Sequence, residues 1–115
     1  MEIIKSSQDI SCLFASGRRI HTPYLTLIVL PQQHDRSSSM CGRVAFIAGK
    51  KLGNAVWRNA AKRRMRALAR DLGGPWPEYD VVFLAKKKVT SAQYSEMITY
   101  CQKALRRDGR LVDQP

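Results

Sequence analysis

The segment KKLGNAVWRNAAKRRMRALAR, Lys50 to Arg70, gathers the side chains best suited to chemistry on polyanions: eight basic residues and no acidic one. The wider stretch from Arg36 to Arg70 holds ten basic residues and still no acid. After Gly53 the choice is five arginines (58, 63, 64, 66, 70) against one lysine, Lys62. A guanidinium is a planar fork that grips phosphate through two N–H groups or stacks on a base, whereas an ammonium is a point charge. Asn59 adds an amide that donates and accepts, suited to a base edge or a 2′-hydroxyl and equally to local hydrogen bonding on an exposed turn. Asn54 is placed to cap a helix. The free N–H groups there, with Lys50 and Lys51 just upstream, form a candidate phosphate cradle.

Other chemistries find less support. Hydrolysis of a phosphodiester by metal ions needs clustered carboxylates, but the nine acids are scattered and only Asp71, Glu78 and Asp80 come near one another. They flank a turn, as solvated helix ends do. Cys12, Cys41 and Cys101 are odd in number and far apart, which suits small buried apolar residues in a reducing cytoplasm rather than a disulfide framework. His21 and His34 have no partner at ligand spacing, so no metal site is expected. No run approaches eighteen apolar residues and MEIIKSSQDI has no apolar core, so neither membrane spanning nor export is expected.

The elements that must position the basic segment follow from pattern. With 115 residues, 44% hydrophobic and 25% charged, the chain is an ordinary globular one, expected as a single domain over 1–115 with a frayed tail from about 108. A net charge of +11 and a pI near 10.2 set it apart and point to nucleic acid. SSQDISCLFASG reads as a helix capped by Ser6 or Ser7 and stopped at Gly17, with Ile10, Leu13 and Phe14 on one face. Tyr24–Leu30, Arg43–Ala48 and Tyr79–Ala85 read as strands, PQQHDRSSSM as a loop, and a further strand is allowed near Arg19. Lys50–Leu72 is helical and ends at GGPWP. A last helix starts at TSAQ, where Thr90 and Gln93 have capping-box spacing, and buries Tyr94, Met97, Ile98, Cys101 and Leu105. The order α-β-β-(β)-α-β-α indicates an α/β (α+β) two-layer sandwich on a mixed sheet.

On a helix of 3.6 residues per turn, Trp57, Ala61, Met65, Leu68 and Leu72 occupy an arc of roughly 80°. Arg58, Asn59, Lys62, Arg63, Arg66 and Arg70 occupy a separate arc of roughly 140°, with Arg64 alone beside the apolar edge. A solvated tail has no such segregation. The segment docks by one side and presents its charges on the other, and the whole is a face.

At these residues the chain resembles the protein component of bacterial ribonuclease P. KKLGNAVWRNAAKRRMR is close to that family's Lys-Lys-x-Gly-Asn-Ala-Val-x-Arg-Asn-Arg-x-x-Arg-x-x-Arg pattern, and the likeness runs from about Ile3 to Arg107 through LFASG, RVAFIAGKK and YDVVFLAKK. The resemblance implies a ribosomal-protein-like fold with a left-handed β-α-β crossover. It implies a subunit of a cytoplasmic ribonucleoprotein whose catalytic RNA, with Mg2+, removes the 5′ leader of precursor tRNA, the protein being a monomer without a catalytic side chain or cofactor. Arg58, Asn59, Lys62, Arg63 and Arg66 match the family's RNA-binding helix, and Ala60 stands where the family carries a further arginine. In the cleft that receives the leader, Phe14 matches a family aromatic, Ile10 and Ile28 stand where relatives often carry Phe and Tyr, and Arg43 is placed beside them. A general RNA-binding protein of ribosomal type shares every electrostatic feature, and only the motif separates the two readings.

Overall fold

The computed structural model describes residues 2–32, 42–109 and 111. In order the chain forms β1 (Glu2–Ile3), α1 (Ser7–Ser16), β2 (Arg18–His21), β3 (Leu25–Pro31), β4 (Arg43–Ile47), α2 (Ala55–Asp71), β5 (Tyr79–Ala85) and α3 (Tyr94–Asp108). Single 3-10 turns at Lys50–Leu52 and Lys87–Val89 precede α2 and α3. His34, Cys41 and most of the expected PQQHDRSSSM loop lie outside the described residues.

The strands form one mixed sheet in the order β1-β4-β5-β3-β2. β1, β4 and β5 are mutually parallel, whereas β3 runs antiparallel to both β5 and β2. Alternation along each strand separates two faces. Leu25, Leu27 and Val29, with Val44, Val81 and Phe83, join Ala61, Met65 and Leu68 of α2 and Met97, Cys101 and Leu105 of α3 in the main core. Burying Met65 and Leu68 completely contributes about 1.5–3 kcal/mol each relative to exposure. Ile28, Ala45 and Val82 point the other way and meet Leu13 of α1. The expected sandwich is therefore present, with α1 laid across the face that α2 and α3 leave open.

One local expectation holds and several need correction. Ser6 caps α1, accepting from the Asp9 N–H at 3.3 Å. Gly17 ends that helix in extended rather than left-handed backbone. Its glycine is required by close approach, since a Cβ there would lie 2.5 Å from Ile28 Cγ2. The Thr90–Gln93 capping box does not form: Gln93 caps α3 without a side-chain bond, and Thr90 Oγ1 instead accepts from the Trp57 indole at 2.8 Å. Cys12 is exposed, contrary to its apolar reading, whereas Cys101 is buried and burial pushes its thiol up to about 11. The tail does not fray at once either. Asp108 is ion-paired with Arg18, and Leu111 is buried in the main core.

Candidate nucleic-acid interface

α2 is held at both flanks before it offers anything outward. Asn54 Oδ1 accepts from the Trp57 N–H at 2.9 Å, closing the first turn. Gly53 lets this turn approach the indole, for a Cβ there would sit 2.8 Å from Trp57 Cβ. The Lys87 ammonium lies 5.6 Å from the Trp57 ring centre and donates to the Leu52 carbonyl at 2.5 Å. Arg64, the one arginine expected to stand apart, donates to the Val89 and Ala92 carbonyls at 3.2 and 2.6 Å. It fastens α2 to the turn before α3. Lys86 donates to the Thr22 carbonyl at 2.7 Å, so two of the three lysines 86–88 serve the fold.

The opposite side of α2 is the segregated basic face. Asn59, Arg63, Arg66 and Arg70 are exposed, and Arg58 and Lys62 are half-buried at its margin. Among the described residues, Arg58, Lys62, Arg63 and Arg70 make no hydrogen bond or ion pair. Their nearest acid in sequence, Asp71, is occupied by the Tyr94 hydroxyl, which donates to it at 2.6 Å. Burial, and then that carboxylate, hold the Tyr94 phenol well above its ordinary range. Arg66 is the most ordered of the set, its guanidinium 5.6 Å from the Phe46 ring centre. Lys50 and Lys51 are exposed in the 3-10 turn that leads into Asn54, which extends the positive field to the N-terminus of α2. Asn54, expected among both caps and contacts, has its oxygen committed to capping.

Across the sheet, the four residues expected to line one cleft are divided. Phe14 and Ile10 are half-buried at the edge of α1. The Arg19 guanidinium lies 5.7 Å from the Phe14 ring centre and donates to the Phe14 carbonyl at 3.0 Å. Ile28 is fully buried, so its assignment to an open cleft is wrong: it lies in the interior strand β3, packed with Leu13 of α1. Arg43 is also reassigned. Its Nε and Nη2 donate to the two oxygens of Asp80 at 3.0 and 2.7 Å, and Nη1 to Asp9 at 3.3 Å. This fork ties α1 to the sheet. In their place the same face offers Ile47 and Leu84, paired across β4 and β5 and left half-buried beside the α1 cluster. The alternation in RVAFI and YDVVFLA carried that signal, but only the register between the strands brings the two together.

The carboxylates are likewise dispersed. Asp80 is buried under Arg43, with Gln32 Nε2 also donating to it at 3.0 Å, Asp71 faces Tyr94, and Glu78 sits in a turn at φ 70°. Among the described residues no three His, Cys, Asp or Glu side chains converge as metal ligands. No helix there is long and apolar enough to cross a membrane.

Comparison with known proteins bears on all of this. Residues 1–108 match the family model described as Ribonuclease P. The chain is 36% identical to the ribonuclease P protein component of Streptococcus mutans over 94 residues, 82% of this chain and 75% of that one. It is 30% identical to that of Nitratiruptor sp. over 110 residues, 96% and 94% of the two chains. The fold matches the RNase P protein of Staphylococcus aureus (TM-score 0.77, 18% identity, 97% and 99% covered). It also matches that of Thermotoga maritima (TM-score 0.72, 19% identity, 99% and 100% covered).

Proposed function

The chain belongs to the ribonuclease P protein family and is a protein component of that enzyme, and from this premise we propose how its surface divides the work. The α2 face binds the RNA subunit. Arg58, Lys62, Arg63, Arg66 and Arg70 meet phosphates while Asn59 reaches a base edge or a 2′-hydroxyl, and Lys50 and Lys51 extend the contact past the helix end. The observation that carries this reading is a row of cations without acidic partners on a helix fastened by Trp57 and Arg64. The helix under that row is already ordered before RNA arrives, so binding costs side-chain freedom but little backbone freedom.

The other sheet face, at the edge of α1, receives the single-stranded 5′ leader of precursor tRNA. Phe14 supplies the stacking ring, and Ile47 and Leu84 an apolar floor. With one aromatic there, and stacking worth about 1–3 kcal/mol per base, leader binding is apolar in character and modest in strength.

Cleavage itself belongs to the RNA. Among the described residues the carboxylates are dispersed and gather at no metal site, which supports a reading in which RNA holds the Mg2+ that cleavage requires and this chain supplies no side chain to bond breaking. The protein acts as a monomer in a cytoplasmic particle. Measuring precursor tRNA cleavage at low magnesium, with the cognate RNA subunit and with or without the protein, tests the reading. Stimulation that depends on both components is expected. Cleavage by protein rigorously freed of RNA would overturn it, and absence of any effect would leave a general RNA-binding protein.

A further inference from the structure

Helix α3 carries a second stripe that its core packing does not explain. Glu96, Tyr100, Lys103 and Arg107 fall within an arc of roughly 60° on its outer side. Tyr100 is 44% exposed, yet its ring is held, with Tyr24 packed against it edge-on at 6.0 Å and 84°. The two tyrosines floor an open groove of about 410 Å³ between α3 and the β2–β3 hairpin, with Glu96 at one end and Lys103 at the other. A smaller hollow of about 100 Å³ continues it past Tyr100 and Lys103 to Arg107 and His21. Lys103 and Arg107 have no acidic partner among the described residues. β2 is the sheet edge opposite β1, and α2 packs on β4 and β5 while α3 packs on β2. The groove is thus separate from the basic face of α2.

A single exposed aromatic is ordinary. A ring braced by a second ring, with two unpaired cations one and two turns along the same stripe, has the composition of a single-strand platform: an aromatic for the base and positive charge for the backbone. We propose that this groove is a second single-stranded RNA site, in which one base stacks on Tyr100 and the adjoining phosphates meet Lys103 and Arg107. Glu96, at the far end, disfavours phosphate there, so the backbone leaves the stacked base toward Lys103 and Arg107. The site does not rest on the assignment of α2.

The full chain carrying Phe14→Leu with Arg58→Gln, Lys62→Gln and Arg66→Gln weakens the leader face and the α2 face together and leaves the groove, and binding of labelled hexa-adenylate to it is read by fluorescence anisotropy. Residual binding is expected; Tyr100→Leu should weaken it at least about fivefold and up to about 150-fold, and Tyr100→Phe should preserve it. Lys103→Gln with Arg107→Gln should weaken it and flatten its salt dependence. Unchanged binding in a folded Tyr100→Leu protein overturns the proposal. Should that variant not fold, a 4-thiouridine oligonucleotide cross-linked to the unaltered chain decides: adducts on α3 support the groove and adducts confined to α2 and the α1 face overturn it. Titrating Tyr100→Leu with the RNA subunit alone and with precursor tRNA alone names the source, since the loss should fall on one of them, and loss on neither overturns the site. Self-association that Tyr100→Leu abolishes, with oligonucleotide binding intact, would assign the groove to a second copy of the chain and likewise overturn it.

Discussion

Arg43 and Arg66 are the same residue type on the same small fold, and they have opposite employment. Arg43 is half-buried, with both ends of its fork taken by Asp80 and Asp9. Arg66 lies exposed against Phe46 with no carboxylate in reach among the described residues. What separates them is the placement of acids. Every described ion pair of Arg18 and Arg43 reaches a carboxylate from a distant part of the chain, whereas α2 has no acid until Asp71, which Tyr94 occupies. A basic protein thus keeps charge available on one side by withholding partners there and supplying them on the other.

The contrast is broken most severely at Arg43. Arg43→Ala leaves Asp80 buried without its charge partner and should cost about 3–5 kcal/mol, read as a fall in urea midpoint. Replacing Arg43 by Met and Asp80 by Leu together should recover much of that loss, which a direct RNA contact by Arg43 would not predict. Phe14→Leu comes next. It removes the stacking face but keeps apolar bulk, and should weaken binding of leader-bearing precursor tRNA by about 1–3 kcal/mol while sparing mature tRNA. Equal weakening of both would return Phe14 to the core of α1. Asn54→Ala should destabilise the fold by about 1 kcal/mol through loss of the cap, with RNA affinity following only through the helix end. Smallest of all, Asp71→Asn with Glu78→Gln should leave holoenzyme turnover at saturating substrate unchanged. Asp80 is left out of that pair because its carboxylate holds the fold, and a loss of several orders of magnitude would place catalysis on the protein.

Helical periodicity made the α2 face legible in the sequence, down to the separateness of Arg64, because a 3.6-residue repeat is a local property. The opposite face was less legible. Whether Ile28 is open or covered depends on where α1 lies, and whether Arg43 is free depends on Asp80, 37 residues away and adjacent only through the parallel pairing of β4 with β5. Thr90 shows the same limit at short range. Its spacing to Gln93 fits a capping box, but the Trp57 indole claims its hydroxyl. Strand β1, two residues long, carries no pattern of its own and exists through pairing with β4.

The central claim is that the unpaired face of α2 is a site and not a share of a diffuse positive field. Replacing Arg58, Lys62 and Arg66 by Gln retains helix propensity and forfeits about 0.5–1 kcal/mol of the Arg66–Phe46 contact, so the melting temperature should move little. The control removes the same formal charge at Lys5, Lys88 and Arg106, which are exposed and hold no part of the fold; Lys86 and Lys87 are unsuitable because they bind the Thr22 and Leu52 carbonyls. Affinity of each triple variant for the RNA subunit is measured across a range of salt. Each lost phosphate contact should lower the slope of log affinity against log salt by about 0.7–0.9, so the α2 variant should lose clearly more affinity and more slope than the control. Equal losses in the two variants would contradict the account.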